Sequence, residues 1–356
     1  MAKPKILVAG IGCGYGGTET VVSRFIEELS DRFEFDTFSD VPLKQIQYIE
    51  KDNRIIPMVA KRKNPIQYAR DIRIFFRKHA DEYQGLWFNA NSFSNITPLV
   101  LADKMGIEKR IVHFHNTEVL GNSINRILTN IHREEVNRIA STKIACSKEA
   151  GLFAYGINSG FEIINNSFQI SDFQYDEEAR NAVRMEMGLT DSFVIGTTGR
   201  LAKQKNQSYL INLLPELLKE KPNTKLVIVG EGPLERSFKK QVVALGVKNK
   251  VIFTGARTDI SRILSAFDVF AFPSLFEGLG ISLVEAQANA LPCVISDQIP
   301  SRAIVSKSVL IEPLSNREAW VKSLLSSSRE TFKFSKKIME FDMSTCAPRL
   351  ANYFSL

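Results

Sequence analysis

Cysteine is scarce in this sequence, which limits the redox and metal chemistry that the chain can carry. The four cysteines are scattered, and none stands in a Cys-x-x-Cys pair or beside a histidine. Neither a disulfide framework nor a zinc site is therefore indicated. We expect reduced, mostly buried thiols at Cys13, Cys146, Cys293 and Cys346.

Long hydrophobic runs are missing as well. The apolar segment after Lys5 is interrupted by glycines within a few residues, so it lacks the length and the flanks of a signal peptide or a membrane-spanning helix. We therefore expect a cytoplasmic protein. No internal short-period repeat, low-complexity tract or disordered run is visible.

Acidic residues are outnumbered by basic ones, and the formal net charge is +7. This charge permits an anionic partner, such as nucleic acid, a phosphorylated small molecule or an acidic membrane surface. Nucleic acid is disfavoured, because the basic residues are not interleaved with exposed aromatic residues or placed in a known reading motif. The chain also contains no Asp-x-Asp sequence to hold a magnesium ion, so we predict no metal.

A chain of 356 residues is too long for one ordinary core and suits two domains. Near-continuous apolar strands alternate with helical patterns in both halves, which is typical of parallel sheets covered on both faces. We predict two Rossmann-like, doubly wound α/β domains that face a central cleft. The predicted ranges are 1–180 for the N-terminal domain, 181–340 for the C-terminal domain, and 341–356 for a final helix that packs back on the first domain.

The segment ILVAGIGCGYGGTET has the spacing of a dinucleotide-binding loop. Gly12, Gly14 and Gly17 form a Gly-x-Gly-x-x-Gly pattern after an apolar strand. Asp36 follows the next apolar run near the distance at which a ribose-binding carboxylate is expected. An NAD-dependent oxidoreductase is therefore one interpretation of this segment.

Two cations follow a predicted strand in the second half. The strand FVIGTTGR ends at Gly199 and Arg200, and Lys205 stands in the loop before the next helical pattern. At the carboxyl end of a strand and ahead of a helix, these cations are placed to hold a diphosphate. The alternative is a solvated loop with two ordinary surface charges.

The most informative stretch is FAFPSLFEGLGISLVEAQANALPCVISD. A predicted strand leads into a glycine-containing loop, a helix begins near Ser282, and seven residues separate Glu277 from Glu285. A helix N-terminus is an anion site, and the two carboxylates can reach hydroxyls on either side of it, which fits a phosphate with a sugar at each end. The alternative is that Glu285 is a first-turn acid that complements the helix dipole, but its apolar neighbours predict burial, which is costly for an unpartnered carboxylate.

These residues resemble glycosyltransferase family 4, a group of the GT-B fold. The matching motifs are GGTE, GR with Lys205, GEGP, VIFTGARTDI and PSLFEGLGISLVEAQ, which together span the chain from the first strand to about Asp297. The segment RIVHFHNT is similar to bacterial members that build capsular polysaccharides and exopolysaccharides. The resemblance implies a nucleotide-sugar donor, expected to be a UDP-sugar, held mainly by the C-terminal domain, and an acceptor bound mainly by the N-terminal domain.

The resemblance also implies roles for individual residues. Arg200 and Lys205 would bind the donor pyrophosphate, Glu277 the hydroxyls of the transferred sugar and Glu285 the ribose hydroxyls. The other expected donor contacts are Gly16, Gly17, Glu231, Leu279, Gly280 and Ile281. The glycine loop near Gly16 would then let phosphates approach the backbone without any nicotinamide chemistry.

Two histidines lie at the end of one predicted strand. The family places a histidine near the reacting sugar, so His115 and Glu277 are the expected catalytic residues. The ordinary pKa of a histidine would make His115 sensitive to pH near neutrality. His113 points to the same side if the strand is regular, and a hydrogen-bonded core position is the alternative for both histidines.

The family retains the anomeric configuration of the donor. We expect a same-face substitution in which Arg200, Lys205 and the helix N-terminus stabilise the departing diphosphate without a metal. One departure from the family pattern follows FEII, where an Asn-Gly turn and an aspartate are usual. This chain has Asn165, Asn166 and Ser167 there, and asparagine can take the left-handed conformation of the missing glycine.

A basic helix is predicted in the first domain. Asn64 is a plausible cap and Pro65 the first helical residue. One face carries Lys63, Arg70, Arg73 and Arg77, and the opposite face carries Tyr68, Ala69, Ile72, Phe75 and Phe76. The basic face either attracts anionic lipid headgroups or is simply solvated.

The combined expectation is a retaining, metal-independent glycosyltransferase at the inner face of the plasma membrane. It would extend a polyprenyl-linked oligosaccharide during synthesis of a bacterial capsule or exopolysaccharide. The alternatives are a catalytically silent nucleotide-sugar-binding partner of such an enzyme and the NAD-dependent oxidoreductase.

Overall fold

The computed structural model describes residues 3–11, 17–39, 54–116, 123–329 and 336–355. The chain divides into two compact units. The first comprises Met1–Phe168 together with Glu340–Leu356, and the second comprises Gln169–Met339.

The first unit is built on a seven-stranded parallel sheet with the spatial order β3-β2-β1-β4-β5-β6-β7. Its strands are β1 (Lys5–Ala9), β2 (Glu34–Ser39), β3 (Arg54–Pro57), β4 (Gly85–Ala90), β5 (Lys109–Phe114), β6 (Thr142–Ala145) and β7 (Glu162–Ile163). The helices of this part of the chain are α1 (Gly17–Leu29), α2 (Pro65–His79), α3 (Thr97–Lys104), α4 (Ser123–Ile139) and α5 (Lys148–Tyr155). Residues of α2, α3, α4 and α5 share one apolar core, whereas α1 packs in the other.

The second unit repeats the design with a six-stranded parallel sheet in the order β10-β9-β8-β11-β12-β13. Its strands are β8 (Phe193–Thr198), β9 (Thr224–Val229), β10 (Val251–Gly255), β11 (Val269–Phe272), β12 (Cys293–Ser296) and β13 (Val309–Glu312). Its helices are α6 (Glu177–Glu186), α7 (Gln207–Glu220), α8 (Glu235–Ala244), α9 (Ile260–Ala266), α10 (Ile281–Ala288) and α11 (Arg317–Ser326).

Both sheets reverse their strand order beside the first strand of the unit, as Rossmann-like folds do. The prediction of two doubly wound α/β domains is therefore confirmed. Strands β1 to β12 coincide with apolar runs of the sequence, as predicted, whereas β13 was not predicted. This four-residue edge strand begins with three apolar residues, Val309, Leu310 and Ile311, although all of its residues are partly or largely exposed.

The first unit ends at Phe168 rather than at residue 180, because the following segment packs on the second unit. Ile170 and Phe173 are buried there. The amide of Asn289 donates to the carbonyl of Phe173 over 3.1 Å, and the Arg180 guanidinium donates to the carbonyl of Phe267 over 3.0 Å. Because this segment is mostly polar, its packing on the second unit was not predicted from the sequence.

The last helix, α12 (Met343–Phe354), belongs to the first unit. The carbonyl of Phe168 accepts a hydrogen bond from the N–H of Met343 over 3.1 Å, and Asp342 caps the helix. The fully buried ring of Phe354 packs against Phe35 at 6.1 Å and Trp87 at 5.8 Å between ring centroids. The end of the chain therefore completes one face of the first sheet.

Within the described ranges, no helix combines the length and the apolar character needed to cross a membrane.

We predict that Phe354→Ala destabilises the first unit. Removing this buried ring leaves a cavity among aromatic side chains, with an expected cost of about 3–5 kcal/mol. Chemical denaturation followed by tryptophan fluorescence measures this loss, and the exposed neighbour Asn352→Ala is the control. An unchanged unfolding curve for Phe354→Ala would show that α12 contributes nothing to the core.

Candidate functional site

The strongest candidate site lies at the carboxyl ends of β8 and β11. These strands are neighbours in the sheet, and the strand order reverses between them. In open α/β sheets, ligands bind outside the carboxyl ends of the strands at such a reversal. The loops that follow the two strands hold Lys205 and Glu277.

Lys205 and Glu277 form an ion pair. The Lys205 Nζ atom lies 2.8 Å from Glu277 Oε1, and the two side chains are only 18% and 6% exposed. The same ammonium lies 4.7 Å from the centroid of the Phe272 ring, which adds a cation–π contact. The two loops therefore meet at this pair, which is largely screened from water.

Hydrogen bonds hold the two loops together around this pair. The N–H of Leu275 donates to the carbonyl of Gln204 over 2.8 Å, and the Gln204 amide donates to the carbonyl of Phe276 over 3.1 Å. The Asn206 amide donates to the carbonyl of Pro273 over 3.2 Å. Because the backbone of each loop is fixed by the other, the ion pair sits in a rigid frame.

The N-terminus of α10 opens onto this frame. Gly280 caps the helix with φ of 78°, a left-handed conformation that favours glycine. A Cβ at this position would also lie 3.1 Å from the Phe272 ring and 3.6 Å from Glu277 Cγ. No side chain in the described ranges caps α10, so its first N–H groups are available to an anion.

Glu285 lies inside the buried face of α10. The helix begins at Ile281, one residue before the predicted start, so Glu285 is in its second turn. The alternative interpretation of Glu285 as a first-turn acid is therefore wrong. Glu285 is only 7% exposed, as its apolar neighbours in the sequence predicted.

Arg200 and Glu231 occupy neighbouring loops of the same sheet edge. Arg200 is exposed, and no described carboxylate lies within 4.0 Å of its guanidinium. The N–H of Leu201 donates to the carbonyl of Glu231 over 2.9 Å, which ties the loop after β8 to the loop after β9. Glu231 Oε1 in turn accepts a hydrogen bond from Ala256 N–H over 3.4 Å. The loops after β8 and β9 are therefore joined through their backbones, and Arg200 and Glu231 do not pair with each other.

His115 follows β5 in the first unit and is only 6% exposed. Its Nδ1 lies 2.9 Å from Asn166 Oδ1, and its Nε2 lies 2.9 Å from Asn89 Oδ1. Its ring is 4.1 Å from the fully buried ring of His113, so the two histidines do share one side of the strand. Both ring nitrogens of His115 are therefore engaged within the protein.

The expectation that His115 titrates near neutrality is wrong. Burial lowers the pKa of His115 from 6.5 to about 4, although the hydrogen bond to Asn166 opposes this shift. A neutral imidazole donates only one hydrogen bond, so one of the two amides must present its NH₂ group to the ring. The backbone of Asn166 does not have a positive φ. Asn166 therefore does not take the left-handed conformation of the glycine that is usual in the family.

The dinucleotide interpretation fails at Asp36. This residue is the third of β2 rather than following its carboxyl end, and it is buried. The Asp36 carboxylate lies 3.1 Å from Lys5 Nζ and accepts a hydrogen bond from the Tyr83 hydroxyl over 2.6 Å. Gly17 is the first residue of α1, and the predicted sites at Gly12, Gly14 and Gly16 lie outside the described residues.

A polar cavity of about 280 Å³ lies at the carboxyl ends of β1 to β4 in the first unit. Lys61 Nζ donates to Asn95 Oδ1 over 3.2 Å, and Asn95 Nδ2 donates to the Tyr68 hydroxyl over 2.9 Å, so three lining residues form one chain. At its floor, Gly10 has φ of 87°, and a Cβ there would lie 1.8 Å from the Asn89 carbonyl oxygen. This cavity was not predicted, although Asn89 stands out as a polar residue in an apolar strand.

The predicted basic helix is α2. Asn64 Oδ1 accepts a hydrogen bond from Gln67 N–H over 3.0 Å, and Pro65 is the first helical residue, as predicted. Four of the five residues on the predicted apolar face are buried, and Ala69 is partly buried. The basic residues Lys63, Arg70, Arg73 and Arg77 are all exposed.

Thiol groups lie in the interior. Cys146, Cys293 and Cys346 are free and buried, and burial raises the pKa of the Cys293 thiol. Cys13 lies outside the described residues. A search of the described part of the chain finds no group of three His, Cys, Asp or Glu side chains that could hold a metal ion.

Comparison with known families finds a match in the second unit. The model of the family described as "Glycosyl transferases group 1" matches residues 181–338. This range contains both loops of the ion pair and the whole of α10.

Two relatives extend the similarity. EpsF of Bacillus subtilis, which is named as a glycosyltransferase, is 26% identical over 383 aligned residues, covering 100% of this chain and 97% of EpsF. The UDP-Gal:alpha-D-GlcNAc-diphosphoundecaprenol alpha-1,3-galactosyltransferase of Escherichia coli is 30% identical over 172 residues, which is 47% of this chain and 43% of that enzyme.

Solved structures match nearly the whole chain. HepE of Anabaena, solved in complex with UDP-glucose, has a TM-score of 0.73 at 21% identity and covers 98% of both chains. WaaG, a glycosyltransferase involved in lipopolysaccharide biosynthesis, has a TM-score of 0.69 at 15% identity, with coverage of 98% of this chain and 99% of that chain. The chain therefore has the GT-B fold, and its residues 181–338 match the model of the glycosyl transferases group 1 family.

Proposed function

We propose that this protein transfers a sugar, with retention of anomeric configuration, from a UDP-sugar to a polyprenyl-linked oligosaccharide. The observation that carries the proposal is the Lys205–Glu277 pair beside the uncapped N-terminus of α10. At the point where the strand order reverses, the site offers a cation, a carboxylate and free backbone N–H groups. These groups match a ligand with an anionic centre and a hydroxylated end.

In this proposal the donor diphosphate lies against the N-terminus of α10. Lys205 and Arg200 neutralise its charge, and the backbone N–H groups of Leu279, Gly280 and Ile281 donate hydrogen bonds to it. Because the Lys205 side chain is only 18% exposed, its attraction for a phosphate is weakened less by water than that of a surface lysine.

The two carboxylates recognise hydroxyl groups at either end of the diphosphate. Glu277 accepts hydrogen bonds from the transferred sugar, and Glu285 accepts them from the ribose. The contact with Lys205 holds the Glu277 carboxylate in one orientation, which makes Glu277 a fixed acceptor. Gly16, Gly17 and Glu231 are the further proposed donor contacts.

The chemical step is a substitution on one face of the anomeric carbon. The acceptor hydroxyl oxygen forms a bond to that carbon as the bond to the diphosphate oxygen breaks, and the hydroxyl proton passes to the departing phosphate. Lys205, Arg200 and the α10 amides stabilise the negative charge that develops on the diphosphate, so the step proceeds without a metal ion.

The acceptor is proposed to occupy the polar cavity of the first unit. Its hydroxyl, amide and ammonium groups at Tyr68, Asn95 and Lys61 are suited to a sugar, and its volume of about 280 Å³ is small for a ligand pocket. The Escherichia coli relative acts on a sugar carried by diphosphoundecaprenol, which supports a lipid-linked acceptor. The likeness of RIVHFHNT to capsule and exopolysaccharide enzymes supports the assignment to surface-polysaccharide synthesis.

His115 is proposed to act as a neutral group. Its lowered pKa makes it a poor proton donor at neutral pH, so it serves catalysis by orienting a sugar hydroxyl rather than by supplying a proton. Reaching a sugar would require one ring nitrogen to exchange Asn89 or Asn166 for the ligand.

Product analysis tests the function directly. The protein is incubated with a panel of nucleotide sugars and a synthetic polyprenyl diphosphate sugar, and the anomeric configuration of the product is read by NMR. A retained configuration supports the proposal, and an inverted one contradicts it. If UDP stabilises the protein but no sugar is transferred, the interpretation as a catalytically silent binding partner is favoured. If NAD stabilises the protein, the interpretation as an NAD-dependent oxidoreductase is favoured.

Glu277→Gln should lower the transfer rate at least about a hundredfold, because the negative charge is lost and an NH₂ donor replaces one of the two oxygens that accept from the sugar. The dissociation constant for UDP should change by less than about threefold. Glu235→Gln, which removes a surface carboxylate paired with Lys239 at 2.6 Å, is the matched control. A protein that no longer folds after Glu277→Gln would show that the residue is structural.

Lys205→Met should weaken UDP binding at least about tenfold and leave uridine binding unchanged, because the lost contact is to the diphosphate. Isothermal titration with both ligands measures the difference. Lys203→Met, on the same loop but exposed, is the control. Equal losses for UDP and uridine would remove Lys205 from the phosphate site.

His115 should make stability depend on pH. Its pKa of about 4 in the folded chain lies below its unfolded value of 6.5, so protons bind the unfolded state more readily and stability falls as pH drops from 6.5 towards 4. Between pH 8 and pH 5 the wild type should lose about 2 kcal/mol more than His115→Gln. Urea unfolding at both pH values measures this, and parallel losses would mean that His115 is not held neutral by burial.

A further inference from the structure

Three polar side chains of the first unit form a buried row. Asn89 stands in β4, His115 follows β5, and Asn166 lies shortly after β7. The Asn89 Oδ1 atom lies 2.9 Å from His115 Nε2, and the Asn166 Oδ1 atom lies 2.9 Å from His115 Nδ1. The imidazole is therefore held between two amide groups, one at each ring nitrogen.

The neutral imidazole of His115 has one donor and one acceptor. Burial lowers the pKa of His115 to about 4, so the ring is neutral at pH 7. A neutral ring carries a proton on one nitrogen and only a lone pair on the other. The oxygen and nitrogen of an amide exchange places when the group is turned over, so the remaining contacts of Asn89 and Asn166 decide which ring nitrogen carries the proton.

The Asn89 amide is fixed by a second contact. Asn89 Nδ2 donates to the backbone carbonyl of Trp87 over 3.4 Å. If the amide were turned over, Asn89 Oδ1 would face that carbonyl oxygen, and two acceptors would meet without a proton between them. Asn89 is 0% exposed, so water cannot relieve such a contact. Asn89 therefore offers its oxygen to His115, and His115 Nε2 carries the proton.

The Asn166 amide is held less firmly. In the described ranges, its side chain has the contact with His115 as its single hydrogen bond, and the residue is 8% exposed. It can therefore turn over and present its NH₂ group to the unprotonated Nδ1 atom of His115. The row then runs in one direction, because Asn166 donates to His115, His115 donates to Asn89, and Asn89 donates to Trp87. Hydrogen bonds arranged in this way strengthen one another.

Neighbouring rings hold the plane of the imidazole. The ring centroid of His115 lies 4.1 Å from that of His113, which stacks on Trp87 at 6.3 Å. Burial lowers the pKa of His113 as well, so this ring is also neutral. His113 Nε2 lies 3.3 Å from the carbonyl oxygen of Ile164, and because a carbonyl only accepts, this nitrogen carries the proton. The same tautomer is therefore expected for both histidines.

We propose that Asn89 is a positioning residue that holds His115 in the tautomer protonated at Nε2, so that Nδ1 faces Asn166 as a hydrogen-bond acceptor. This inference rests on the proposed sugar transfer and assigns the polarity of the His115 contact. A sugar hydroxyl that takes the place of Asn166 donates a hydrogen bond to Nδ1, because the ring has no proton to offer at that atom.

Asn166 is the partner that a ligand can replace. It lies at the more accessible end of the row and loses one side-chain contact when it leaves. Replacing Asn89 instead would leave the Nε2–H group of His115 and the carbonyl of Trp87 without their partners in a site closed to water, which is costly.

Nuclear magnetic resonance of the full chain with isotope-labelled histidine tests the tautomer. Correlations between ring nitrogens and carbon-bound ring hydrogens distinguish a protonated from an unprotonated nitrogen. The chain has four histidines, and the signals of His115 are assigned by their absence from His115→Gln. At pH 7 and without a ligand, His115 should be protonated at Nε2 and unprotonated at Nδ1. Protonation at Nδ1 would overturn the proposal.

Two leucine variants separate the amides. Asn89→Leu removes the acceptor of the Nε2–H group and keeps a side chain of similar size, so His115 should change to the tautomer protonated at Nδ1, with Asn166 Oδ1 as its acceptor. Asn166→Leu leaves Asn89 in place, so the tautomer protonated at Nε2 should persist. An unchanged tautomer in Asn89→Leu, or a changed one in Asn166→Leu, would overturn the proposal. If circular dichroism shows that Asn89→Leu does not fold, the wild type and Asn166→Leu still decide it.

Transfer kinetics test the use of this tautomer. Asn89→Leu should lower the transfer rate at least about tenfold and change the dissociation constant for UDP by less than about threefold, because the orientation of a sugar hydroxyl is lost while the diphosphate site is untouched. Asn352→Leu makes the same chemical change at an exposed position of the first unit and is the control. An unchanged transfer rate in Asn89→Leu would contradict the positioning role.

The tautomer and the reaction can fail separately. A wild type that carries the expected tautomer but transfers no sugar would contradict the proposed function and leave the assignment of the His115 nitrogens standing. A wild type that transfers sugar with His115 protonated at Nδ1 would contradict only the role of Asn89.

Discussion

The contact between Lys205 and Glu277 depends on the parallel pairing of β8 with β11. The two residues are far apart in sequence, but neighbouring parallel strands end at the same edge of a sheet and deliver their loops to one place. The loops then fix one another through backbone hydrogen bonds, and Gly280 lets the start of α10 approach closely. A charged pair that water hardly reaches is costly unless its partners are held in place, and this frame holds them.

The first unit uses the same sheet design for different chemistry. Its strand ends hold a buried histidine between two amides and a polar cavity lined by hydroxyl and amide groups. Burial decides the state of His115, because removing the ring from water disfavours its charged form more than the hydrogen bond to Asn166 favours it. The proposed orienting role of His115 depends on this neutral, hydrogen-bonded ring, and the proposed acceptor site depends on the hydroxyl and amide groups of the cavity.

Much of the fold could be predicted because strands that are covered on both faces appear in the sequence as continuous apolar runs. The predicted cap and faces of α2 were also right, since both depend on residues close together in the chain. The edge strand β13 was not predicted. The packing of Ile170 and Phe173 on the second unit was not predicted either, because this polar segment gains its burial from distant partners. Both Lys205 and Glu277 were expected at strand ends of the second domain, but their ion pair was not predicted. The cavity of the first unit was not predicted either, since its lining comes from several separate loops.

By itself, the sequence determined the two α/β domains, the family resemblance and the motif residues at the strand ends, because periodicity and spacing are local properties. Only the tertiary structure decided which charges meet. It put Asp36 in a buried pair with Lys5, which removed the dinucleotide interpretation, and it buried His115, which lowered its pKa. Burial and charge pairing depend on side chains that the chain brings together from distant positions, so they follow from the folded structure rather than from spacing along the sequence.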